Sequence, residues 1–587
     1  MKVTELHTDE EVSRVFSDLP STVALDVETD SLNTRSAKLL SYSISKGGEA
    51  FVVPGHLVNH LHILKSRRLI LQNFKYDFQV LHRHGVDLID TDFRDTMLMH
   101  HLMDENLEHG LGEMVKTYFG DDYKEEFWSK YKTFEEAPHA EGIEYQGKDA
   151  VYTLKLYEYF STYLKDKEPL VEHVHKLAKA LYYTELEGVC VDVPLMTETK
   201  SVMGAEIASY IPKLRSEFDK QCTQWELVKW NEELDKRTTL KGKMNVPKPE
   251  FSFNSDAQLS WLIYKGLKLP VLNKTKKGNP STDYETLETL SEQHPILSTL
   301  KSYKGAKTLY STFVEGMLDR VEGGRIYPEF NINGTATGRI SHKNPNLGNI
   351  PREGPIRGFF TPSPGCVLGG ADYSQLEVVI EANFSKDKAL RTMILEGSSK
   401  HDITAKGLGI TRDAAKTLNF AMQYRCSPYK VASLLSVSPK EAQHVWDKYW
   451  QVYSGVKTLM DWCDSKLEAR EPIVNPFGRA RNFPADFDNK WDYEKAKRQA
   501  YNALIQGTGA DITHKAFYRA SERLRANGRG RMLWEVHDEL LGEFKASLFE
   551  FEIHQLVGIM DSIGVELGFE IPLTAKPYGP FERWQKA

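Results

Sequence analysis

Carboxylates at the ends of two apolar strands, far apart in the sequence, constrain most strongly how this chain can fold. His537, Asp538 and Glu539 are flanked on both sides by apolar residues, a pattern typical of a hairpin with a polar tip. In the segment 367–377, apolar residues lead into Asp372 in the same way. Neighbouring carboxylates repel each other unless a cation lies between them. Asp372 and Asp538, brought together, would form an all-oxygen site suited to the Mg²⁺ ions that assist phosphoryl transfer. Either segment alone also fits an ordinary surface hairpin.

The size and composition indicate a globular, multidomain protein. A length of 587 residues predicts roughly four domains, and the 41% hydrophobic and 27% charged residues are ordinary proportions. The five cysteines are scattered and form no CxxC motif, which argues against a disulfide framework or a zinc module and fits a reducing cytoplasm. The chain shows no apolar secretion signal and no apolar run long enough for a membrane span. We therefore expect a cytoplasmic protein without membrane segments.

The distribution of charge leaves nucleic-acid binding open. The net charge is −7, but residues 301–357 contain nine Lys or Arg against five Asp or Glu. This local excess, which includes Lys301, Lys304 and Lys307 on one predicted helix, could follow the phosphates of a nucleic acid. The alternative is an ordinary solvated surface.

The first 150 residues carry a second set of acids. Asp26 and Glu28 are two residues apart on a predicted strand and therefore share a face. Asp77 lies on a predicted helix after another short apolar strand, and Tyr145 and Asp149 are four apart on one helical face. The four acids can converge as a second site for hard metal ions. For each acid taken alone, the alternative is a helix cap or a surface charge.

The segment 412–424 predicts a helix with a mixed functional face. Arg412, Lys416, Phe420 and Tyr424 are spaced by four residues, so all four lie on one broad face. Two cations near a helix N-terminus suit a triphosphate, and the aromatic end suits a base or a sugar. The alternative is an amphipathic core helix whose cations extend to solvent.

The order of the N-terminal motifs, DxE, NxxxD and YxxxD, resembles that of the DnaQ-like 3′–5′ exonucleases, and specifically the proofreading domain of family A DNA polymerases. The resemblance implies that Asp26, Glu28, Asp77 and Asp149 bind two metal ions. It also implies that Tyr145 orients the attacking water.

Later segments resemble the polymerase motifs of the same family, in the family order. These are TATGR with NPNLGNIP at 335–351, DYSQLE at 372–377, RxxxKxxxFxxxY at 412–424 and HDE at 537–539. The resemblance implies catalytic roles for Asp372, Asp538, Glu539 and Lys416, with Asp372, Asp538 and the Tyr373 carbonyl as metal ligands. It implies nucleotide binding by Arg412, Lys416, Phe420, Tyr424, Glu377, Gln375 and His401, with Glu377 excluding a ribose 2′-OH. It implies DNA binding by Arg339, Arg357, Arg498, Asn502, Gln506 and His537. The chain departs from the family pattern at Gly348, usually Gln, and at Arg425, usually Gly.

The resemblance predicts an α/β multidomain fold, with an RNase H-like exonuclease domain and a right-hand polymerase. We expect the exonuclease domain at 1–165, a helical thumb at 166–320, fingers at 386–485, and a palm with an antiparallel sheet at 321–385 and 486–587. No 5′ nuclease domain is expected ahead of the exonuclease, and the short fingers suggest a phage replicase. The polar segment 222–250 reads as a loop-like excursion, too small for a thioredoxin-binding insert.

The predicted activity is template-directed DNA synthesis with 3′–5′ proofreading, using two Mg²⁺ ions in each site. Primer-template DNA and dNTPs are the expected partners of a monomer, and a replisome helicase or primase is a candidate partner; no thioredoxin-type processivity factor is expected. Two enzymatic alternatives remain: an exonuclease whose C-terminal half only binds DNA, and a single-subunit RNA polymerase. A non-catalytic DNA-binding scaffold is the third. Primer extension with dNTPs, with rNTPs and with neither separates them.

Overall fold

The computed structural model describes residues 1–221, 252–275, 277–423, 425–485 and 487–585, without the side chains of residues 217, 219–221, 420 and 423. The predicted excursion at 222–250 lies outside the described residues. Among the helices that are described, none combines the length and the apolar character needed to cross a membrane.

The N-terminal unit is built on a mixed six-stranded sheet. Its strands are β1 (Lys2–Glu5), β2 (Thr22–Thr29), β3 (Leu39–Lys46), β4 (Glu49–Pro54), β5 (Arg68–Leu71) and β6 (Asp92–Asp95). They lie in the order β1-β4-β3-β2-β5-β6, with β2 antiparallel to β3 and parallel to β5. The strands predicted around Asp26 and ahead of Asp77 are therefore present.

Helices cover this sheet and complete the unit. They are Asp9–Ser17, Phe74–Arg83, Thr96–Met103, Leu111–Phe119, Tyr123–Lys130 and His139–Tyr163. The last of them packs against β2, β3 and β4, which brings the residues of its middle turns close to the acids of β2.

Two short ladders follow in the middle of the chain. They pair β7 (Val189–Cys190) with β8 (Arg325–Ile326), and β9 (Glu329–Asn331) with β10 (Ser341–Lys343). Apart from β10 and two short 3-10 turns, the segment 335–360 has no regular structure, as its many turn-forming residues predict.

The C-terminal half is organised around an antiparallel sheet of four strands. The remaining strands are β11 (Cys366–Tyr373), β12 (Ile473–Val474), β13 (Ala480–Arg481), β14 (Gly530–Val536), β15 (Glu539–Lys545) and β16 (Ala575–Phe581). The four-stranded sheet has the order β14-β15-β11-β16, and β12 pairs with β13 separately. Two helices, Lys490–Ala526 and Phe549–Glu566, pack on this sheet and on each other. We call Lys490–Ala526 the long palm helix.

The range predicted as a thumb divides between two packing units. Helix Glu168–Glu187 packs on the long palm helix and on β14, where the Thr184 hydroxyl donates to the Met532 carbonyl over 3.2 Å. A separate apolar core lies farther along, within residues 214–303. It is built by helices Val193–Gln221, Asp256–Trp261, Tyr284–Leu290 and Pro295–Leu309. Part of the range 166–320 therefore packs with the C-terminal sheet and apart from this second core.

The segment predicted as fingers is helical, as expected. Its helices are Lys388–Glu396, Lys400–Leu408, Arg412–Gln423, Pro428–Leu435, Pro439–Val452 and Ser454–Glu468, preceded by Leu376–Ser385 at the end of β11. Side-chain caps define their starts: the Asp387 carboxylate accepts from the backbone of Ala389, and the Ser399 hydroxyl accepts from that of His401.

Candidate active sites

The sheet of the C-terminal half brings together the two acids that the sequence separates. β11 and β15 are adjacent and antiparallel, and their register places Asp372 opposite Glu539. The Tyr373 N–H donates to the Asp538 carbonyl over 3.1 Å. Asp372 and Asp538 therefore lie side by side at one end of the sheet, as predicted.

Two local features allow this close approach. A Cβ at Gly370 would lie 2.0 Å from the Leu540 carbonyl oxygen, so only glycine lets β11 approach β15 at this point. His537, at the exposed tip between β14 and β15, has a φ of +63°, a left-handed backbone that favours glycine. The paired strands hold this turn and present Asp538 beside Asp372.

The acidic cluster creates a strong local field. Burial, and then the charges of Asp538 and Glu539, raise the pKa of Asp372 to about 6, and Arg352 opposes this shift. The Asp372 Oδ1 atom is buried and has no hydrogen-bond partner among the described residues. An unsatisfied carboxylate oxygen beside a second carboxylate fits a divalent hard cation. Arg352 is a residue of this site that the sequence motifs did not single out.

Glu539, next to Asp538, is held by contacts with Tyr578 and Arg357. The Tyr578 hydroxyl donates to Glu539 Oε1 over 2.7 Å, and an Arg357 nitrogen lies 3.8 Å from Glu539 Oε2. Arg357 is only 4% exposed, and its guanidinium lies 4.3 Å from the centre of the Trp584 ring. A buried guanidinium is not available to a DNA phosphate, so the prediction that Arg357 contacts DNA is wrong.

A cavity of about 1260 Å³ lies between the long palm helix and the fingers. Six of the predicted nucleotide- and DNA-binding residues line it: Gln375, Glu377, His401, Lys416, Asn502 and Gln506. They come from four separate helical regions, so only the fold brings them together. The volume is somewhat above the range of about 300–1,000 Å³ that is usual for pockets that take small molecules and cofactors.

The fingers helix Arg412–Gln423 presents its cations as expected. Lys416 is exposed at the cavity, and Arg412 Nε donates to Asp402 Oδ1 over 2.9 Å. Burial, together with the positive charges of Arg412 and Lys416, lowers the pKa of His401. The side chain of Phe420 and the whole of Tyr424 lie outside the described residues, so their predicted contacts stay predictions.

The two departures from the family pattern have different structural settings. Arg425 has a φ of +54°, the conformation that favours the usual glycine, and its guanidinium is held by Asp464 at 2.7 Å. At Gly348, an added Cβ would meet only side chains, none closer than 3.6 Å, so the backbone does not require glycine there.

The other cations with predicted DNA contacts lie in the loop 335–351, on the long palm helix and on helix Pro295–Leu309. Arg339 donates to Glu377 over 2.6 Å, which joins the loop 335–351 to the start of helix Leu376–Ser385. Arg498 lies exposed on the long palm helix. On helix Pro295–Leu309, Lys301 pairs with Glu288 at 2.6 Å and Lys304 with Asp256 at 3.0 Å, so these two cations already have partners.

The N-terminal unit holds a second acidic cluster. Asp26 and Glu28 of β2 and Asp149 of helix His139–Tyr163 offer oxygen atoms that all lie within 4.8 Å of one another. Burial, and then the charge of Asp149, raise the pKa of Asp26 to about 8, and burial also raises the pKa of Glu28 and Asp77. The buried Asp77 Oδ2 has no hydrogen-bond partner among the described residues. Carboxylates grouped in this way, with an unsatisfied oxygen, are chemically suited to divalent cations, and the metal-binding roles of the four acids stay predictions.

A lysine that the sequence motifs missed completes this cluster. Lys124, on helix Tyr123–Lys130, donates to Asp149 and, over 2.7 Å, to the Tyr145 hydroxyl. The Trp128 indole donates to the same hydroxyl over 3.1 Å. Tyr145 is therefore held in place by two donors. Nothing in the spacing of the sequence links 124 to 149, because the contact depends on how two helices pack.

A third cluster of possible ligands, His173, Asp511 and His514, is buried behind β14. Arg479 forms two hydrogen bonds with Asp511, of 2.9 and 2.7 Å, and His514 lies 3.1 Å from Glu535. Burial lowers the pKa of His514, but the charges of Glu535 and Asp511 and the hydrogen bonds to them together outweigh burial and raise this pKa to about 9. The acids of this cluster are thus balanced by protein cations.

A family model described as DNA polymerase family A matches residues 226–584, well over half of the chain. The chain belongs to DNA polymerase family A. A second model, described as 3′–5′ exonuclease, matches residues 3–165. The resemblance drawn from the motifs is therefore confirmed, and so is the predicted combination of a family A polymerase fold with an exonuclease fold.

Individual family A proteins support the assignment. The chain is 30% identical over 532 residues to "DNA polymerase I, thermostable" of Thermus aquaticus, an alignment covering 86% of this chain and 57% of the relative. It is 27% identical over 595 residues to DNA polymerase I of Borreliella burgdorferi, covering 94% and 61%. The chain thus spans about three fifths of the length of these curated relatives.

One solved structure has the same fold over nearly its whole length. It is the POL domain of Pol1 from M. smegmatis, in complex with DNA primer-template and dNTP, with a TM-score of 0.82 and 24% identity. The alignment covers 99% of both chains.

Proposed function

We propose that this chain is a DNA-directed DNA polymerase that adds dNMPs to a primer 3′-OH and removes mispaired ends by 3′–5′ exonuclease action. The observation that carries the proposal is the pairing of β11 with β15, which sets Asp372 beside Asp538 at one end of the antiparallel sheet. Family membership and the second acidic cluster support it.

In the polymerase site, Asp372, Asp538 and the Tyr373 carbonyl would hold Mg²⁺, and we propose two ions. When bound, these ions would polarise the primer 3′-OH and offset the charge of the triphosphate. Lys416 and Arg412 would neutralise the phosphates from the fingers side, with His401 beside them. Glu539 supports the strand end through Tyr578.

The sugar and the base pair would occupy the cavity. Gln375 and Glu377 lie at its wall, where the Glu377 carboxylate would exclude a ribose 2′-OH by its bulk. Arg339 pairs with Glu377 and would reach the primer end next to it. Phe420 and Tyr424 are proposed to stack on the base or sugar. Asn502, Gln506, Arg498 and His537 would contact template and primer.

In the exonuclease site, Asp26, Glu28, Asp77 and Asp149 would hold two further Mg²⁺ ions. Tyr145, fixed by Lys124 and Trp128, would orient the attacking water. A mispaired primer end would leave the polymerase site and be trimmed here. We further propose that the enzyme acts as a cytoplasmic monomer on primer-template DNA with dNTPs, and that a replisome helicase or primase is a candidate partner.

A primer-extension assay with two single variants tests the proposal. Asp538→Ala should abolish extension and leave 3′ trimming intact, and Asp26→Ala should do the reverse. Loss of both activities in either variant would contradict two separate sites. Trimming without any dNTP incorporation by the unaltered protein would instead support an exonuclease whose C-terminal half only binds DNA.

A further inference from the structure

One hairpin of the C-terminal half contacts both the N-terminal unit and the long palm helix. It comprises β12, β13 and the residues up to Asn482, and we call residues 473–482 the bridging hairpin. The N-terminal unit meets it with the turn that follows helix Thr96–Met103, where Glu105 and Asn106 lie. The contact joins residues 376 positions apart in the sequence, so only the fold creates it.

Glu105 is an acid of the N-terminal unit whose carboxylate is bound by the bridging hairpin. Its side chain is only 4% exposed. The Arg481 guanidinium and the Asn482 backbone N–H both donate to Glu105 Oε1, the second over 2.7 Å, and the Asn482 side-chain amide donates to Oε2 over 3.1 Å. Arg481 also donates to the Asn106 side-chain oxygen over 2.6 Å. A buried carboxylate with several donors fixes two segments more firmly than a solvated ion pair does.

The turn of the bridging hairpin is fastened to the long palm helix. Arg479 donates to both carboxylate oxygens of Asp511, over 2.9 and 2.7 Å, and the Asn475 side-chain amide donates to Asp511 Oδ2 over 2.7 Å. Arg479 is 8% exposed, and Asp511 is fully buried. Because separating a buried charge pair leaves each charge without its partner, the hairpin is held firmly on the palm.

The bridging hairpin and the N-terminal unit also hold the loop that carries Arg339. A Cβ at Gly338 would lie 2.8 Å from Arg479 Nε, so this loop lies directly on the buried guanidinium. His101, on the helix that precedes the Glu105 turn, donates from Nε2 to the Thr335 carbonyl over 3.2 Å. The N-terminal unit and the loop proposed to reach the primer end therefore share one support.

We propose that Glu105 is a positioning residue for the removal of mispaired ends. By fixing the N-terminal unit to the bridging hairpin, it sets the distance and direction between the primer end at Asp372 and the second acidic cluster. The inference rests on the proposed function. A tethered site acts at an effective concentration that its geometry sets, and a looser attachment lowers that concentration without altering the site itself. Loss of the Glu105 contact should therefore slow the transfer of a primer end and leave the chemistry at both clusters unchanged.

Three DNA substrates separate transfer from chemistry. Single-stranded DNA reports trimming alone, a matched primer-template with dNTPs reports extension alone, and a mispaired primer-template is trimmed only after its end leaves the polymerase site. Glu105→Ala should keep the first two rates within about twofold and slow the third about fivefold to tenfold, the lower part of the range usual for coupling between two sites. Asn482→Ala, which removes only the bond to Oε2, should show a smaller effect of the same kind, so the test does not depend on one variant folding.

Two comparisons show whether this contact is responsible. Glu322→Ala removes a more exposed pair, Arg35–Glu322 at 2.7 Å, between the N-terminal unit and the segment ahead of β8, and should behave like the unaltered protein. Arg481→Ala should reproduce Glu105→Ala, and the double variant should be no slower than either single variant, since both changes break one contact.

The outcomes that count against the proposal differ from those that count against the proposed function. Equal slowing by Glu105→Ala on all three substrates, or unchanged trimming of the mispaired primer-template, would overturn the positioning role. Failure of the unaltered protein to trim single-stranded DNA, or to extend the matched primer, would instead contradict the proposed function.

Discussion

Replacing Asp372 by asparagine should stabilise the metal-free protein while abolishing primer extension. The folded site raises the pKa of Asp372 from 3.8 to about 6, first through burial and then through Asp538 and Glu539. A shift of about two units corresponds to roughly 3 kcal/mol at 1.36 kcal/mol per unit. Because the group is only half-buried, solvent screening reduces this to about 1–2 kcal/mol.

The sign of the pH dependence follows from the raised pKa. The folded state binds the proton of Asp372 more tightly than the unfolded state. Below pH 3.8 this carboxyl therefore does not lower the free energy of unfolding, and it lowers it progressively as the pH rises towards 6. The advantage of Asp372→Asn should therefore be complete above about pH 6 and roughly half as large near pH 5.

Thermal unfolding in EDTA at pH 7.5 and pH 5 measures this advantage. We expect a rise of a few degrees in the midpoint at pH 7.5, since one kcal/mol moves the midpoint of a domain of 150–250 residues by about 2–4 °C. Asp319→Asn, an exposed acid outside the site, is the matched control. Added Mg²⁺ should stabilise the unaltered protein more than Asp372→Asn. If the stability advantage of Asp372→Asn is absent at pH 7.5, or grows as the pH falls, the claim that the clustered carboxylates destabilise the metal-free protein is refuted.

Three further variants test other parts of the account. Glu377→Ala should admit ribonucleotides, and unchanged discrimination between dNTPs and rNTPs in single-nucleotide insertion would remove its role as a gate. Arg357→Ala should destabilise the fold by about 3 kcal/mol, because it leaves Glu539 without its buried cation, and the salt dependence of DNA binding should not change. Lys124→Met should slow 3′ trimming about 10- to 100-fold by freeing Tyr145 and Asp149, with extension unaffected. Lys130→Met on the same helix is its control, and equal trimming by the two variants would argue against a positioning role.

Local patterns in the sequence predicted the elements that carry the acids. The alternation in 22–29 placed Asp26 and Glu28 on one face, and the apolar runs around Asp372 and Asp538 predicted strands that end in carboxylates. The structure agrees with these predictions because two patterns depend on neighbouring residues alone: the alternation of apolar and polar residues in a strand, and the polar residue that follows an apolar run. The antiparallel register that sets Asp372 opposite Glu539 depends on distant segments, and the motif resemblance supplied that link.

Contacts that depend on packing were not predictable in this way. Arg357 lies in a basic stretch typical of a DNA-binding surface, yet it is buried against Trp584 from the other end of the chain. No sequence motif points to Lys124, because its contacts with Tyr145 and Asp149 depend on how two helices pack. Helix Glu168–Glu187 falls in the range predicted as a thumb, but its buried face packs on the long palm helix. In each case a partner distant in sequence decides the environment of the residue.

The position of metal ions between β11 and β15 tests the central claim most directly. Crystals soaked in Mn²⁺ and measured at its absorption edge would locate such ions by anomalous scattering. The account predicts a peak within about 2–2.3 Å of oxygen atoms from both Asp372 and Asp538, the usual range for a hard divalent cation. A peak on one carboxylate, with the other too distant to coordinate the same ion, would contradict it.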